Sequence, residues 1–490
     1  MASIAAALRD GTPCVEIIEA FADVVVTGEP KLNACVGGSV DKAAMRARAA
    51  AIDAMLAEGK KLALACVPVV VKDNVDVAGQ PTSGGVAALR KSVAAVDAPV
   101  WAAVEAAGAV LVCKGNMPDF AANGLNTVSS RSGQTLSAYN RSRVPYGSSG
   151  GPAVAISASY GVLGIGTDTD GSIQNPSSAA SLVGLRGTLG LVPTLGILPL
   201  SIFSDVAGPM TRTVADAAVA YQVMVNASLA SRGSQDYVGA LKADALAGAR
   251  IGYLSSVLAR VPGKQVPDPA VEALACAALD ALDKAGARVT TIAPNAPVVT
   301  ALVSIISSVS PAALGLCGDS SFKAAVNSFL ATRPRDEGMR SVSEVYASGE
   351  FLHGLGGVTA LLENAIAAPP PSSGNVSAAC AGYVAAQKEA RQLLVEYLDS
   401  HGLAAFGFPT ENQPPPKLPG IPPPTGWFGT QLVSAFTGLP AMVMPMGATL
   451  GYDTPVGWTF LGRPYDEATL FGLAYGFELA HPSRVVPPSP

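Results

Sequence analysis

The stretch GIGTDTDGSIQNPSS, Gly164 to Ser178, continues a nearly apolar run that begins at Tyr160 and breaks at Ile165 into a polar, glycine-containing turn. A short apolar run bounded in this way reads as a buried strand with a turn at its end. A second unusual segment, YGSSGGP (Tyr146–Pro152), places Ser148 twenty-four residues before Ser172. Upstream, LALACVPVVV (62–71) is another β-branched apolar run, and it stops at Lys72, Asp73 and Asn74. GAVLVCKGN (108–116) is a third, preceded by the helical pattern APVWAAVEAA. GARIGYLS, a helix over 268–286 and ARVTTIAP form one more strand–helix–strand unit. Strands alternating with helices predict an α/β layered fold with a largely parallel sheet. The periodicity also predicts a helix over 41–59 closed by Gly59, and a helix opened by Thr213 with Asp216 in the manner of a capping box. LPAMVMPMG and PVGWTFLGR read as two late strands, and DEATLFGLAYGFELA as the last helix.

Composition narrows the function classes. The chain has 490 residues, a net charge of −5 and only 14% charged residues. No basic stripe is present, so nucleic acid is not an expected partner. Seven cysteines (14, 35, 66, 113, 276, 317, 380) are scattered singly without a C-x-x-C pair. That pattern suggests neither a disulfide framework nor a zinc site, and it implies reduced thiols and a cytoplasmic protein. No metal and no cofactor is expected. The N-terminus lacks the basic and apolar regions of a signal peptide. A long uncharged stretch, Val289 to Gly318, is interrupted by serines and Pro311. It predicts a buried helix pair or an apolar substrate entrance rather than a membrane span. APPPSSGN (368–375) punctuates an irregular, helical region over about 298–400, read as a variable cover. PPPKLPGIPPPTGW (414–427) is too proline-rich for a helix or strand interior and predicts an ordered loop lining a pocket.

Three polar groups stand at the ends of apolar runs or in glycine-rich turns: Lys72, Ser148 and Ser172. Sites in open α/β sheets gather at the carboxyl ends of such strands. The three histidines, His353, His401 and His481, lie far from either serine turn, and no G-x-S-x-G elbow follows a strand. A serine nucleophile therefore needs another base, and Lys72 serves if it is uncharged. Burial disfavours the ammonium form. Lowering a lysine from about 10.4 to near 7 takes roughly 4–5 kcal/mol of differential desolvation. Asp73 would oppose this if it met the amine, but successive strand residues point to opposite faces.

The motifs GSSGG and GTDTDGSIQNPSSAASLVGLRGTLGLVP resemble those of the amidase signature family. The resemblance extends to VPVVVKDNVDVAGQPTSGG, KGNMPDFA and AGPMTRTVADAA, and to the C-terminal GLPAMVMPMG and PVGWTFLGRPYDEATL. It covers roughly 60–225 and 435–480, and its nearest branch is that of bacterial peptide amidases. The resemblance implies one α/β/α domain over 1–490 around a large twisted mixed sheet. It implies Ser172 as the acylated nucleophile, Ser148 as a serine following a cis peptide bond, and Lys72 as the base. The backbone N–H groups of Thr169, Asp170, Gly171 and Ser172 match the oxyanion hole.

Several positions depart from the family pattern. Asp170 stands for a glycine, which points to neutral or cationic substrates over anionic ones. Gln174 stands for an arginine, Tyr146 for a glycine and Pro152 for a small residue. Candidates for substrate contact are Met117, Gly147 and Ser149 around the serine loop, with Trp427, Phe428 and Phe436 lining an apolar channel. The implied activity is hydrolysis of carboxamides, of peptide amide or aryl amide type. Alternatives are a carbamate or urethane hydrolase with the same triad, an amidotransferase A-type subunit that needs a partner, and a non-catalytic binding module. The expected partner is a small-molecule amide or carbamate, and the expected assembly a monomer or homodimer.

Overall fold

Val67–Lys72 forms β1, and all six of its residues are buried. Successive strand side chains point to opposite faces, so burial of every residue means that both faces of the sheet are covered. The same holds for β3 (Leu163–Asp168), β5 (Val206–Thr211) and β10 (Thr454–Leu461). The remaining strands are β2 (Ala109–Gly115), β4 (Val183–Arg186), β6 (Arg250–Leu254), β7 (Arg288–Ile292), β8 (Ala405–Pro409) and β9 (Ala441–Thr449). They make one ten-stranded sheet in the order β2-β1-β3-β5-β4-β9-β10-β8-β6-β7. This is a computed structural model, and it describes residues 1–37, 39–225, 235–254, 267–309, 311–334, 338–354, 357–419 and 431–488, except for the side chains of 311–314 and 431.

The largely parallel sheet read from strand–helix alternation is corrected. β1 is parallel to β2 and β3, and β6 is parallel to β7 and β8. Between these flanks, β3, β5, β4, β9, β10 and β8 pair antiparallel. The sheet is therefore mixed, as the family resemblance implied. The physical reason is visible at β9 and β10. A turn over residues 450–453 joins them, too short for the crossover that a parallel pair requires.

Helices flank the sheet. Cys14–Leu32 is α1 and Lys42–Ala57 is α2, whose N-cap Asp41 accepts from the Ala44 N–H at 3.0 Å. Gly150–Ser157 is α3 and Gln174–Ala179 is α4; each follows one of the two serine turns and is wholly buried. In α5 (Val214–Met224), Thr213 Oγ1 accepts from the Asp216 N–H at 3.1 Å. The return half of a capping box is missing, because Asp216 instead pairs with the Met1 ammonium at 2.8 Å.

The uncharged stretch 289–318 divides into β7, α6 (Pro297–Ser308) and the start of α7 (Pro311–Ala331), which Pro311 opens. α6 buries Val298, Val299, Leu302 and Ile305 in a core shared with Ala386, Ala390, Leu394 and Leu398 of α8 (Gly374–Ser400). Among the described residues, no helix is long and apolar enough to cross a membrane.

The expectation of unpaired thiols is overturned. Cys14–Cys66, Cys35–Cys113 and Cys317–Cys380 are disulfides, with Cα–Cα separations of 5.5, 5.9 and 5.0 Å, and Cys276 is free and exposed. The partners lie 52, 78 and 63 residues apart. No local spacing announces such pairs. They form because the start of α1 meets the residue before β1, because Cys35 bridges to Gly115 beside Cys113 in β2, and because α7 packs on α8.

Candidate active site

Lys72 ends β1 with none of its surface exposed. Its Nζ donates to Ser148 Oγ at 2.7 Å, to Thr167 Oγ1 at 2.8 Å and to the Thr167 carbonyl at 3.2 Å. Asn74 Nδ2 also donates to Thr167 Oγ1, at 3.0 Å. β1 and β3 are parallel neighbours, so the amine of one strand end meets the threonine of the next. Burial brings the Lys72 amine down to about 7 against the pull of Asp168, Asp205 and Asp170. Asp73 faces away, as strand alternation requires. It binds Ser83 and the Gly85 N–H, and its Oδ1 lies 3.8 Å from Lys114 Nζ.

Ser148 follows a cis peptide bond after Gly147. Gly147 is needed for packing: a Cβ there would lie 2.4 Å from the Asn123 carbonyl oxygen and 2.9 Å from that of Asn126. Ser149 is fully buried, and its hydroxyl donates to the Thr167 carbonyl at 3.0 Å. Its N–H donates to the Ser172 carbonyl at 3.1 Å, so the residue ties the two serine turns together. Met117 is fully buried as well. Met117, Gly147 and Ser149 are thus not among the residues that line the chamber described below. Each is occupied by packing or by a backbone partner in this structure. Trp427 and Phe428 lie outside the described residues.

The turn after β3 is held by a carboxylate inside it. Asp168, fully buried, accepts from the N–H groups of Gly171 and Ile173 at 2.9 Å each and from that of Gln174 at 3.3 Å. Arg186 of β4, equally buried, donates to Asp168 Oδ1 at 2.8 Å and to the Asp168 carbonyl at 2.7 Å. Thr169 Oγ1 donates to Asp205 at 2.6 Å, which fixes the turn's other side. Of the four N–H groups that the resemblance implied as oxyanion donors, that of Gly171 donates to a side chain of the turn itself. At φ +112° the Gly171 N–H points to Asp168. Among the described residues, no acceptor meets the N–H of Thr169, Asp170 or Ser172. Ser172 Oγ is buried without a hydrogen-bond partner among the described residues. Gln174 bridges Asp168 and Ser434, and the positive charge paired with Asp168 comes from Arg186.

A chamber of about 480 Å³ opens beside this turn. Its floor is Thr169, Asp170, Ser201 and Ser204. Val303 and Ile306 of α6 and Tyr383 of α8 form two walls, and Val433 and Phe436 of α9 (Gln431–Thr437) a third. The apolar stretch thus contributes to a chamber wall, and Phe436 lines it. Residues 414–419 of the proline-rich segment brace the serine loop: the Val144 N–H donates to the Pro416 carbonyl at 3.0 Å, and the Leu418 N–H to that of Ser142 at 2.9 Å.

Sequence reasoning missed Thr167, Asn74, Arg186, Asp205 and Tyr383 as parts of the site. Arg186 and Asp205 lay within or beside the motifs quoted above, where a charged residue in an apolar run was the available signal. Nothing local marked Tyr383.

A family model described as Amidase matches residues 16–471. The chain is 32% identical to the A subunit of the Glutamyl-tRNA(Gln) amidotransferase of Nitratidesulfovibrio vulgaris (strain DP4), over 95% of this chain and 92% of that protein. In structure it is similar to the native peptide amidase from Stenotrophomonas maltophilia, with a TM-score of 0.82 and 28% identity over 99% of this chain and 97% of that one. It is also similar to an amidase family protein from Bacillus anthracis str. Ames, with a TM-score of 0.82 and 27% identity over 99% and 92%.

Proposed function

The chain belongs to the amidase signature family and is an amide-hydrolysing enzyme of that family, and from that premise we propose that it cleaves carboxamides through Ser172, with Ser148 and Lys72 as the proton relay. The observation that carries this reading is the 2.7 Å contact between Lys72 Nζ and Ser148 Oγ in a place without solvent. An ammonium satisfies the three acceptors around Nζ with three protons. A neutral amine keeps two and offers its lone pair to the Ser148 hydroxyl, so the same geometry holds both states.

In the proposed reaction, neutral Lys72 takes the Ser148 proton while Ser148 takes that of Ser172. Ser172 Oγ bonds to the carbonyl carbon. The oxyanion is met by the free N–H groups of the turn, each such donor being worth about 3–4 kcal/mol. The C–N bond then breaks as Ser148 gives its proton to the leaving nitrogen and recovers one from Lys72. Water, deprotonated along the same relay, attacks the acyl ester and frees Ser172. The aliphatic and aromatic walls of the chamber favour an apolar acyl group. A single catalytic domain is supported by one sheet that joins strands from Val67–Lys72 to Thr454–Leu461.

The test is ammonia release from a hydrophobic peptide amide, together with labelling by a fluorophosphonate probe. Ser172→Ala should abolish both, and unchanged turnover in that variant would overturn the reading. The amidotransferase reading has one observation in its favour, the identity to the A subunit of that enzyme over most of the chain. It predicts that the isolated chain is inert on simple amides and acts on glutamine only when a partner is added.

The cytoplasmic location implied by unpaired thiols loses its support. Three disulfides fit an oxidising compartment.

A further inference from the structure

The chamber floor carries a carboxylate, that of Asp170, which has no hydrogen-bond or ion-pair partner among the described residues. Asp168 is locked to Arg186 and the turn's amides, and Asp205 to Thr169 and to the N–H groups of Leu200 and Ser201 at 2.9 Å each. The Asp170 carboxylate accepts no hydrogen bond from the described residues. Its side chain is exposed to the chamber, beside the turn N–H groups that have no acceptor among the described residues.

The charge around it is one-sided. Asp168, Asp170 and Asp205 stand against the guanidinium of Arg186 and the amine of Lys72. Arg186 is already engaged with Asp168 and with the Ser204 carbonyl at 2.8 Å, and Lys72 must be uncharged to act. No lysine, arginine or histidine is among the described lining residues. The surrounding walls and the repulsion of Asp168 raise the Asp170 carboxyl to about 6, with Arg186 pulling the other way. It is therefore ionised above neutrality.

Two aromatic rings, Tyr383 and Phe436, line the same chamber. Tyr383 lies edge-to-face with Phe203 and with Phe436, with ring centroids 5.7 Å apart in each case, and all three rings are only partly buried. The Tyr383 hydroxyl accepts from Gln387 at 3.1 Å. Aromatic rings and a carboxylate without a partner among the described residues, around one cavity, form a setting for an organic cation.

We propose that Asp170 is a specificity-determining residue: its side chain selects amides whose acyl part carries an ammonium group close to the scissile carbonyl, and it rejects those carrying a carboxylate there. This inference rests on the amidase reading above. The substrate class is an amino-acid-type amide with a free amine and an apolar side chain, the amine on Asp170 and the side chain among Tyr383, Phe436 and the aliphatic walls. A glutamate- or succinate-type acyl group would bring a second negative charge to the same floor.

The test uses the full chain and four matched amides: phenylalaninamide, 3-phenylpropanamide, N-acetylphenylalaninamide and N-succinylphenylalaninamide. The wild type should favour phenylalaninamide over 3-phenylpropanamide in kcat/KM, and the acetyl over the succinyl amide, each by at least tenfold. Asp170→Asn should shrink both ratios toward one. Ratios that survive Asp170→Asn would overturn the proposal. A second arm needs neither turnover nor a folded Asp170 variant: calorimetric binding of phenethylammonium and of 3-phenylpropionate to Ser172→Ala. The cation should bind at least tenfold more tightly, and equal or tighter binding of the anion would overturn the proposal. Hydrolysis of the two neutral amides tests the amidase reading alone, so its failure is distinguishable from failure of the charge selection.

Discussion

Lys72 Nζ lies 2.7 Å from Ser148 Oγ, with both residues fully withdrawn from solvent. An amine so placed holds its proton weakly, and burial brings it down to about 7. Activity that requires the neutral amine should be low at pH 6, rise through about pH 7 and level off on the alkaline side. A profile of kcat/KM on an amide with no ionisable group checks this. Lys72→Met should lose at least about three orders of magnitude, as expected when a relay that acts as a unit is broken. Lys72→Arg should not rescue it, because a guanidinium stays protonated.

The same shift has a stability cost with a defined sign. The folded chain holds Lys72 near 7, whereas the unfolded chain binds that proton up to about 10.5. Between these values the unfolded state carries more protons, so this group's contribution to stability rises with pH. Lys72→Met removes that slope. Urea unfolding of both proteins at pH 7 and pH 9 should show a wild-type gain on going to pH 9 that the variant lacks.

Arg186 and Asp168 form an ion pair with neither partner exposed. Removing one member leaves the other charged and unpaired, a loss of about 3–5 kcal/mol. Arg186→Met should therefore lower the urea midpoint and, because Asp168 holds the Ser172 turn, reduce kcat more than it changes KM. Steady-state kinetics below the unfolding range check the second effect.

Gly147→Ala would drive a Cβ toward two backbone carbonyls that cannot turn aside. The expected result is a shift of Ser148 away from Lys72. A displacement near 1 Å at a reacting group costs on the order of 10²-fold. The variant should lose about that much in kcat while binding substrate with little change.

Three disulfides leave one free thiol, Cys276. Thiol titration under denaturing, non-reducing conditions should count one, and seven after reduction. Each closed loop stabilises the chain by about 2–4 kcal/mol. Cys317→Ala with Cys380→Ala should lower stability by an amount in that range and loosen α7 from α8, which carries Tyr383.

The layered class, the strands ending at Lys72 and before Ser172, and the helices over 41–59, 268–286 and 466–480 were all legible in the chain. Each is dictated by local periodicity, turn chemistry or capping within a few residues. Lys72, Ser148 and Ser172 stood out as candidates from their context and the family resemblance, and the structure brings Lys72 to Ser148. Parallel and antiparallel neighbours share the same apolar pattern, so sheet order and direction were not legible beyond the family resemblance. Nor was it legible that Gly171 turns its N–H inward to Asp168, that Ser149 serves a backbone, or that Arg186 pairs with Asp168 inside the turn. Cysteines separated by 52, 78 and 63 residues carry no local sign of pairing. What the sequence by itself determined was which groups are chemically capable and where strands and helices begin and end. Distances between groups far apart in the chain were decided only when β1, β3 and β4 came together. Hydrogen bonds, desolvation and disulfide closure depend on ångström-scale proximity in space, which separation along a chain does not encode.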